Sequence, residues 1–258
     1  MKPTQILLFL FSLLLMTSFY IEHDQYYALG TKRCLLRKTI IKEGALTLIA
    51  LHDNENTAVD AFHNWTDELN INLLELHQRD DRYLQIQYRG INYEIDPNMI
   101  FTPSGIAKTL SRNRLKIPAE IPLLVKSFAD SLLSLFIDPE HKKYVVAIHN
   151  NSAENFSILS YRDSSKAYEL FIAPAEDIDD FFIVTDSSDF AYFRNMQLNV
   201  VWQNKQIEDD GSLSVYCQQR DIPYINIEAE HGHLAKQTEM IKMVYDLIRE
   251  KEMRRLSN

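Results

Sequence analysis

Two kinds of apolar pattern alternate along the chain. Residues 45–51 (ALTLIAL) form an unbroken, β-prone run, the pattern of a strand covered on both faces. In 57–69 the apolar positions Ala58, Phe62, Trp65 and Leu69 instead recur at helical spacing, so a helix is expected to follow that strand. Residues 83–88 (YLQIQY) and 91–95 (INYEI) flank Arg89-Gly90 and read as a hairpin. From Ile121 onward, Leu124, Phe128, Leu132 and Leu135 describe an amphipathic helix that closes before Pro139. A second buried strand is expected at 143–148 (KYVVAI), with further strands at 181–185, 199–202 and 224–227. The last helix is expected over 237–252, with Met240, Met243, Val244, Leu247 and Ile248 facing inward. Strands and helices in alternation predict an α/β fold: a single-domain sandwich whose mixed, largely parallel central sheet is flanked by helices. No repeat or low-complexity linker divides it.

Before this pattern begins, residues 6–16 (ILLFLFSLLLM) follow Lys2 as an apolar segment interrupted only by Ser12. A basic start and a short apolar centre are the marks of a secretory signal peptide. The residues after it, Thr17 to Tyr20, fit a cleavage site poorly, so an uncleaved membrane anchor stays open, although 6–21 is shorter than the roughly 20 residues of a full span. Residues 1–22 are therefore expected to be a signal peptide or N-terminal anchor, with 23–258 as the folded domain outside the cytoplasm, periplasmic or secreted. In such a compartment Cys34 and Cys217 can form one disulfide or remain buried thiols.

Composition narrows the partners. With 46% hydrophobic and 24% charged residues the chain is an ordinary globular protein, which excludes disorder and collagen-like structure. A net charge of −9, with basic residues clustered only at 112–116 and 249–255, argues against nucleic acid as the main partner. Six glycines without a phosphate-cradling pattern leave nucleotide binding without support. No GxSxG occurs, and Cys217 has no neighbouring base, so a serine or cysteine hydrolase finds no footing either.

Ligands gather beyond the carboxyl ends of the strands in such folds. The first buried strand ends in Leu51-His52-Asp53-Asn54-Glu55, the second in Ile148-His149-Asn150-Asn151, and 224–227 runs into Glu228-Ala229-Glu230-His231. Two imidazoles, a carboxylate and an open position are the requirements of a catalytic zinc site, with a second carboxylate to take a proton from water.

His52-x-x-Glu55 after a hydrophobic strand, a later strand-end His149, Asp96-Pro97-Asn98 between them and a Glu on a late strand together resemble the zinc carboxypeptidase superfamily, which includes amidohydrolases of acylated amino acids. The resemblance spans residues 44–250. It implies one Zn2+ per chain held by His52, Glu55 and His149, with Glu228 as general base; Glu230, two positions on, would share its face of the strand. It also implies that Arg82 stabilises the oxyanion, with Asn98 and Tyr216 contacting substrate. His231 and His233 are left as ligands, proton shuttles or plain loop histidines.

One departure bears on function. Where the family has an arginine for the substrate's terminal carboxylate, this chain has Met99, and a thioether cannot make that bidentate pair. Arg89, Arg112 and Arg114 are the candidates to replace it, unless the substrate lacks a free C-terminus. The expected function is a zinc-dependent amide hydrolase, carboxypeptidase-like, exported or anchored, acting on peptides, cell-wall peptides among them. The alternatives are an acyl-amino-acid amidohydrolase and a catalytically inactive module of the same fold that binds a peptide or partner. For that module, the acidic run 176–180 offers a contact surface.

Overall fold

The computed structural model describes residues 20–43, 45–65, 70–138, 140, 143–152 and 156–256; the apolar segment 6–16 and the end of the first expected helix lie outside them. Eleven strands are described: β1 (Ile21–Leu29), β2 (Lys32–Ile40), β3 (Leu46–Ala50), β4 (Ile71–His77), β5 (Leu84–Tyr88), β6 (Ile91–Ile95), β7 (Val145–Asn151), β8 (Glu169–Phe171), β9 (Phe181–Val184), β10 (Val200–Trp202) and β11 (Tyr224–Glu230). The helices are α1 (Asn56–Trp65), α2 (Pro103–Ser111), α3 (Glu120–Phe136), α4 (Ser187–Asn195), α5 (Leu213–Gln219) and α6 (Leu234–Leu256).

Nine strands make one mixed sheet in the order β1-β2-β4-β3-β7-β11-β9-β10-β8, and β5 with β6 forms a separate hairpin. The middle of the sheet, β4-β3-β7-β11, is parallel throughout. Antiparallel β1 and β2 extend one side, and β9 turns antiparallel to β11 on the other. The expected α/β sandwich with a parallel centre is thus the observed one.

Strand alternation divides the core into two layers. Ile49, Leu74, Val145, Ala147 and Tyr224 face α2, α3 and α5, and Leu48, Leu73, Val146, Ile225 and Ile227 face α1, α4 and α6. Both faces of the central strands are covered, which is why they read as unbroken apolar runs. On α6, Met240, Ile241, Val244, Leu247 and Ile248 are all buried, each contributing about 1.5–3 kcal/mol through removal from water.

Two expectations change here, and one open alternative is decided. Ile21 and Glu22 pair with Ile40 and Thr39, so a boundary after residue 22 cuts into β1, a strand the leader reading obscured. β7 runs to Asn151 and β11 to Glu230, each beyond its expected end, carrying strand geometry into the site. Cys34 on β2 and Cys217 on α5 are both buried free thiols, not a disulfide. Among the described residues, no helix is long and apolar enough to cross a membrane.

Candidate functional site

β3 delivers His52 to the carboxyl edge of the sheet. A turn then closes with Glu55 N–H donating to the His52 carbonyl (3.2 Å), and α1 starts directly after it. The turn places both side chains together, His52 Nδ1 at 2.7 Å from Glu55 Oε1. β7 lies parallel beside β3, with Ala147 opposite Ile49, and so brings His149 to the same edge. Its Nδ1 stands 2.8 Å from Glu55 Oε2 and 3.2 Å from His52 Nδ1. All three residues are buried, and their ligating atoms lie within 4.8 Å of one another.

The tautomers show what this cluster suits. Asp96, where β6 ends, accepts from His52 Nε2 at 3.0 Å and from the Asn98 backbone N–H at 3.0 Å. With its proton on Nε2, a neutral His52 turns the Nδ1 lone pair toward Glu55, itself an acceptor, and toward a second imidazole. Three electron-pair donors facing one point need a positive species among them. Burial by itself would lower the pKa of His52, yet Glu55 and Asp96 outweigh it and push it up to about 9. For Glu55 burial works upward, and the two imidazoles overcome it and hold the carboxyl well below the usual range. Two imidazole nitrogens, a carboxylate and a carboxylate behind one imidazole are the donor set of a divalent zinc centre, and these residues fit that ion.

β11 adds the fourth group. Its parallel register with β7 sets Glu228 opposite His149. Alternation sends Ile225, Ile227 and Ala229 into the layer under α6, while Tyr224, Asn226 and Glu228 line a pocket of about 810 Å3 together with His52, Glu55 and His149. Asn226 Nδ2 donates to Glu228 Oε1 (2.9 Å). Burial raises the pKa of Glu228, and nearby Glu55 adds to this against His149 and Arg82. Glu230 takes another path: its carboxylate meets His233 Nε2 at 3.1 Å, outside this pocket. Arg82 lines the pocket and donates to Glu55 Oε1 at 2.7 Å. Asn98 lines it too, its Oδ1 accepting from the Leu213 N–H, and Met99 stands beside it in the wall.

Four other sequence candidates do not reach the pocket. Tyr216 packs against Phe101 on the core, with the Arg220 guanidinium 3.8 Å from its ring centre. Arg89 sits in the hairpin turn at φ +50°, stacked on Tyr88 and paired with Glu120 at 3.2 Å. Arg112 lies over the Tyr83 ring and donates to its hydroxyl (2.7 Å), so it touches the pocket wall only through Tyr83. Arg114 is exposed in the turn after α2. None of these three arginines lines the pocket, and among the described lining residues Arg82 is the only arginine.

The structure also supplies groups that the pattern did not single out. Asp96 was visible as part of a motif, but its role behind His52 depends on a contact 44 positions away in sequence. Tyr161, partly buried in the pocket wall, has its hydroxyl pKa pushed well above the ordinary value by burial first and then by Glu228, so it stays a proton donor. It belongs to a short 3₁₀ turn with no periodicity to mark it. His231 lines the pocket rim, its Nδ1 3.4 Å from Thr57 Oγ1. A groove of about 750 Å3 at the opposite end of the sheet, with Lys38, Lys42 and Lys143 in its walls, shows no such convergence of ligating atoms among the described residues.

No protein-family model matches the chain, and no curated protein does. Among solved structures, it is similar to succinylglutamate desuccinylase from Vibrio parahaemolyticus, at 10% identity and a TM-score of 0.45, covering 90% of this chain and 78% of that one. An aspartoacylase family protein from Mesorhizobium loti gives 11% identity and 0.46, over 89% of this chain and 68% of the other. A candidate metallopeptidase from Shewanella baltica gives 12% and 0.42, over 87% and 86%. Each likeness is distant.

Proposed function

We propose that the chain is a zinc-dependent amide hydrolase acting on a peptide or an acylated amino acid. The observation that carries this reading is the convergence of His52 Nδ1, His149 Nδ1 and the Glu55 carboxylate at one point, with Glu228 in the same pocket. Zinc held there supplies Lewis acidity, polarising a scissile carbonyl and making water a readier proton donor. Glu228, kept basic by burial, takes that proton and returns it to the leaving nitrogen. Arg82 presents a guanidinium where negative charge develops on the carbonyl oxygen. Asp96 fixes the His52 tautomer.

Met99 in the pocket wall, with Arg82 as the only arginine among the described lining residues, favours a substrate recognised by something other than a free terminal carboxylate. A peptide cut at an amide away from a free C-terminus, cell-wall peptides among them, meets that description better than a conventional C-terminus, and an acylated amino acid would need its carboxylate held by Arg82. Export is part of the proposal and rests on the apolar segment 6–16 alone.

The test is Glu228→Gln on a panel of peptides and acylated amino acids with chromatographic product analysis. Turnover should fall by about 10²–10⁴, with folding and zinc content unchanged. A wild-type protein that carries zinc and turns over nothing in the panel would favour the binding module instead.

A further inference from the structure

A second convergent set lies where the loop between β8 and β9 meets the end of β11 and the start of α6. Asp177, Glu230 and His233 each offer one ligating atom, and these atoms lie within 4.8 Å of one another. The imidazole is held from both sides: Nδ1 stands 3.6 Å from Asp180 Oδ2 and Nε2 3.1 Å from Glu230 Oε2. A neutral imidazole has one N–H, so with the proton on Nδ1 toward Asp180, the Nε2 lone pair faces a carboxylate. This repeats, outside the pocket, the arrangement of Asp96, His52 and Glu55.

An independent observation points the same way. Asp179 is only 5% exposed, and its Oδ1 is buried without a hydrogen-bond partner. The charged groups that act on its carboxyl are Asp177, Glu230, Asp180 and His233. Four carboxylates thus surround a single imidazole. Lys236, which also feels Asp180, is engaged with Glu176 at 2.8 Å and Glu239 at 3.6 Å. A buried carboxylate oxygen with no donor, beside this excess of negative charge, is stabilised by a cation close by.

We propose that Asp177, Glu230 and His233 form a second divalent-cation site, with Asp180 orienting the imidazole. A mixed imidazole and carboxylate set suits Zn2+ or Mn2+ better than Ca2+, which prefers oxygen alone. Asp177 is exposed and the other two ligands half-buried, so this site binds more weakly than the buried His52 centre. Glu230 is two residues beyond Glu228 on β11, and its cation ties the strand end to the β8–β9 loop.

The full chain, stripped by chelator, is titrated calorimetrically with Zn2+, and in parallel with Mn2+ and Ca2+. The expected result is two zinc equivalents. Glu230→Gln and His233→Ala should each abolish only the weaker one, and His149→Ala only the tighter, so failure at one centre is read separately from failure at the other. A second equivalent that survives both the Glu230 and the His233 substitution, or its absence in the wild type, overturns the proposal. Should these two variants not fold, pulsed electron paramagnetic resonance of Mn2+ bound to the His52→Ala/His149→Ala protein decides: nitrogen modulation from imidazole supports the site, and its absence overturns it.

Discussion

At the scale of the residue, the account turns on carboxylates placed behind histidines. Asp96 holds the proton on His52 Nε2 at 3.0 Å and so frees Nδ1 for a cation. Asp96→Asn keeps the shape and loses the charge; zinc affinity, read by chelator competition, should weaken about 10–100-fold. Unchanged affinity would remove Asp96 from the mechanism. His77 shows the same pairing used for stability: Asp53 at 2.9 Å first, and Glu75 at 3.4 Å second, raise its pKa to about 9. A histidine held protonated in this way stabilises the fold fully below the ordinary value of 6.5 and loses that contribution as pH rises through about 9. The difference in urea midpoint between wild type and His77→Gln should therefore shrink between pH 7 and pH 10; a difference constant across that range would contradict the pairing. His52, Glu55, His149 and Glu228 were legible because strand ends announce themselves in sequence. The substrate-side assignments were not: Tyr216 differs from a pocket residue only in which way α5 turns it, and Arg112 only in where the turn after α2 carries it, neither of which the sequence pattern shows.

At the scale of the element, the pocket wall depends on one backbone contact. A Cβ on Gly105, near the start of α2, would lie 2.2 Å from the Gly211 Cα and 2.5 Å from the Met99 carbonyl oxygen. Gly211 itself has φ +86°, a conformation that favours glycine, and its carbonyl accepts from Phe101 N–H at 3.1 Å. This contact joins the 97–102 segment to the loop before α5, whose Asp210 and Ser212 line the pocket together with Met99. Gly105→Ala should cost about 1–3 kcal/mol by overpacking, measured by denaturant unfolding, and a neutral result would mean that the two segments can part freely. The buried strands β3, β7 and β11 were readable from their unbroken apolar runs, as were α3 and α6 from their spacing. β1 was not, because as an edge strand it is almost wholly exposed and its sequence IEHDQYYAL has no apolar run. β8 is only three residues, too short for any period to show, whereas β10, equally short, lies where a strand was expected at 199–202.

At the scale of the whole molecule, two apolar layers hold a parallel centre whose carboxyl edge gathers the chemistry. Cys34 and Cys217 lie in the same layer, and burial pushes the Cys34 thiol up to about 12 and the Cys217 thiol higher still. Neither should react with a thiol reagent in the native protein, and both should react once it is unfolded; one that reacts in the native state would contradict this packing. The topology also explains how residues 52, 55, 149 and 228 meet: parallel register between neighbouring strands, which no local pattern encodes, sets His149 beside His52 and Glu228 beside His149. The claim that this meeting is a metal centre is tested most directly by the tight zinc content of the purified full chain, His52→Ala, His149→Ala and His233→Ala, by elemental analysis after gel filtration. The account predicts one tightly held zinc per chain in the wild type and in His233→Ala, and none in His52→Ala or His149→Ala. Equal zinc in all four proteins, or none in the folded wild type after loading, would contradict it.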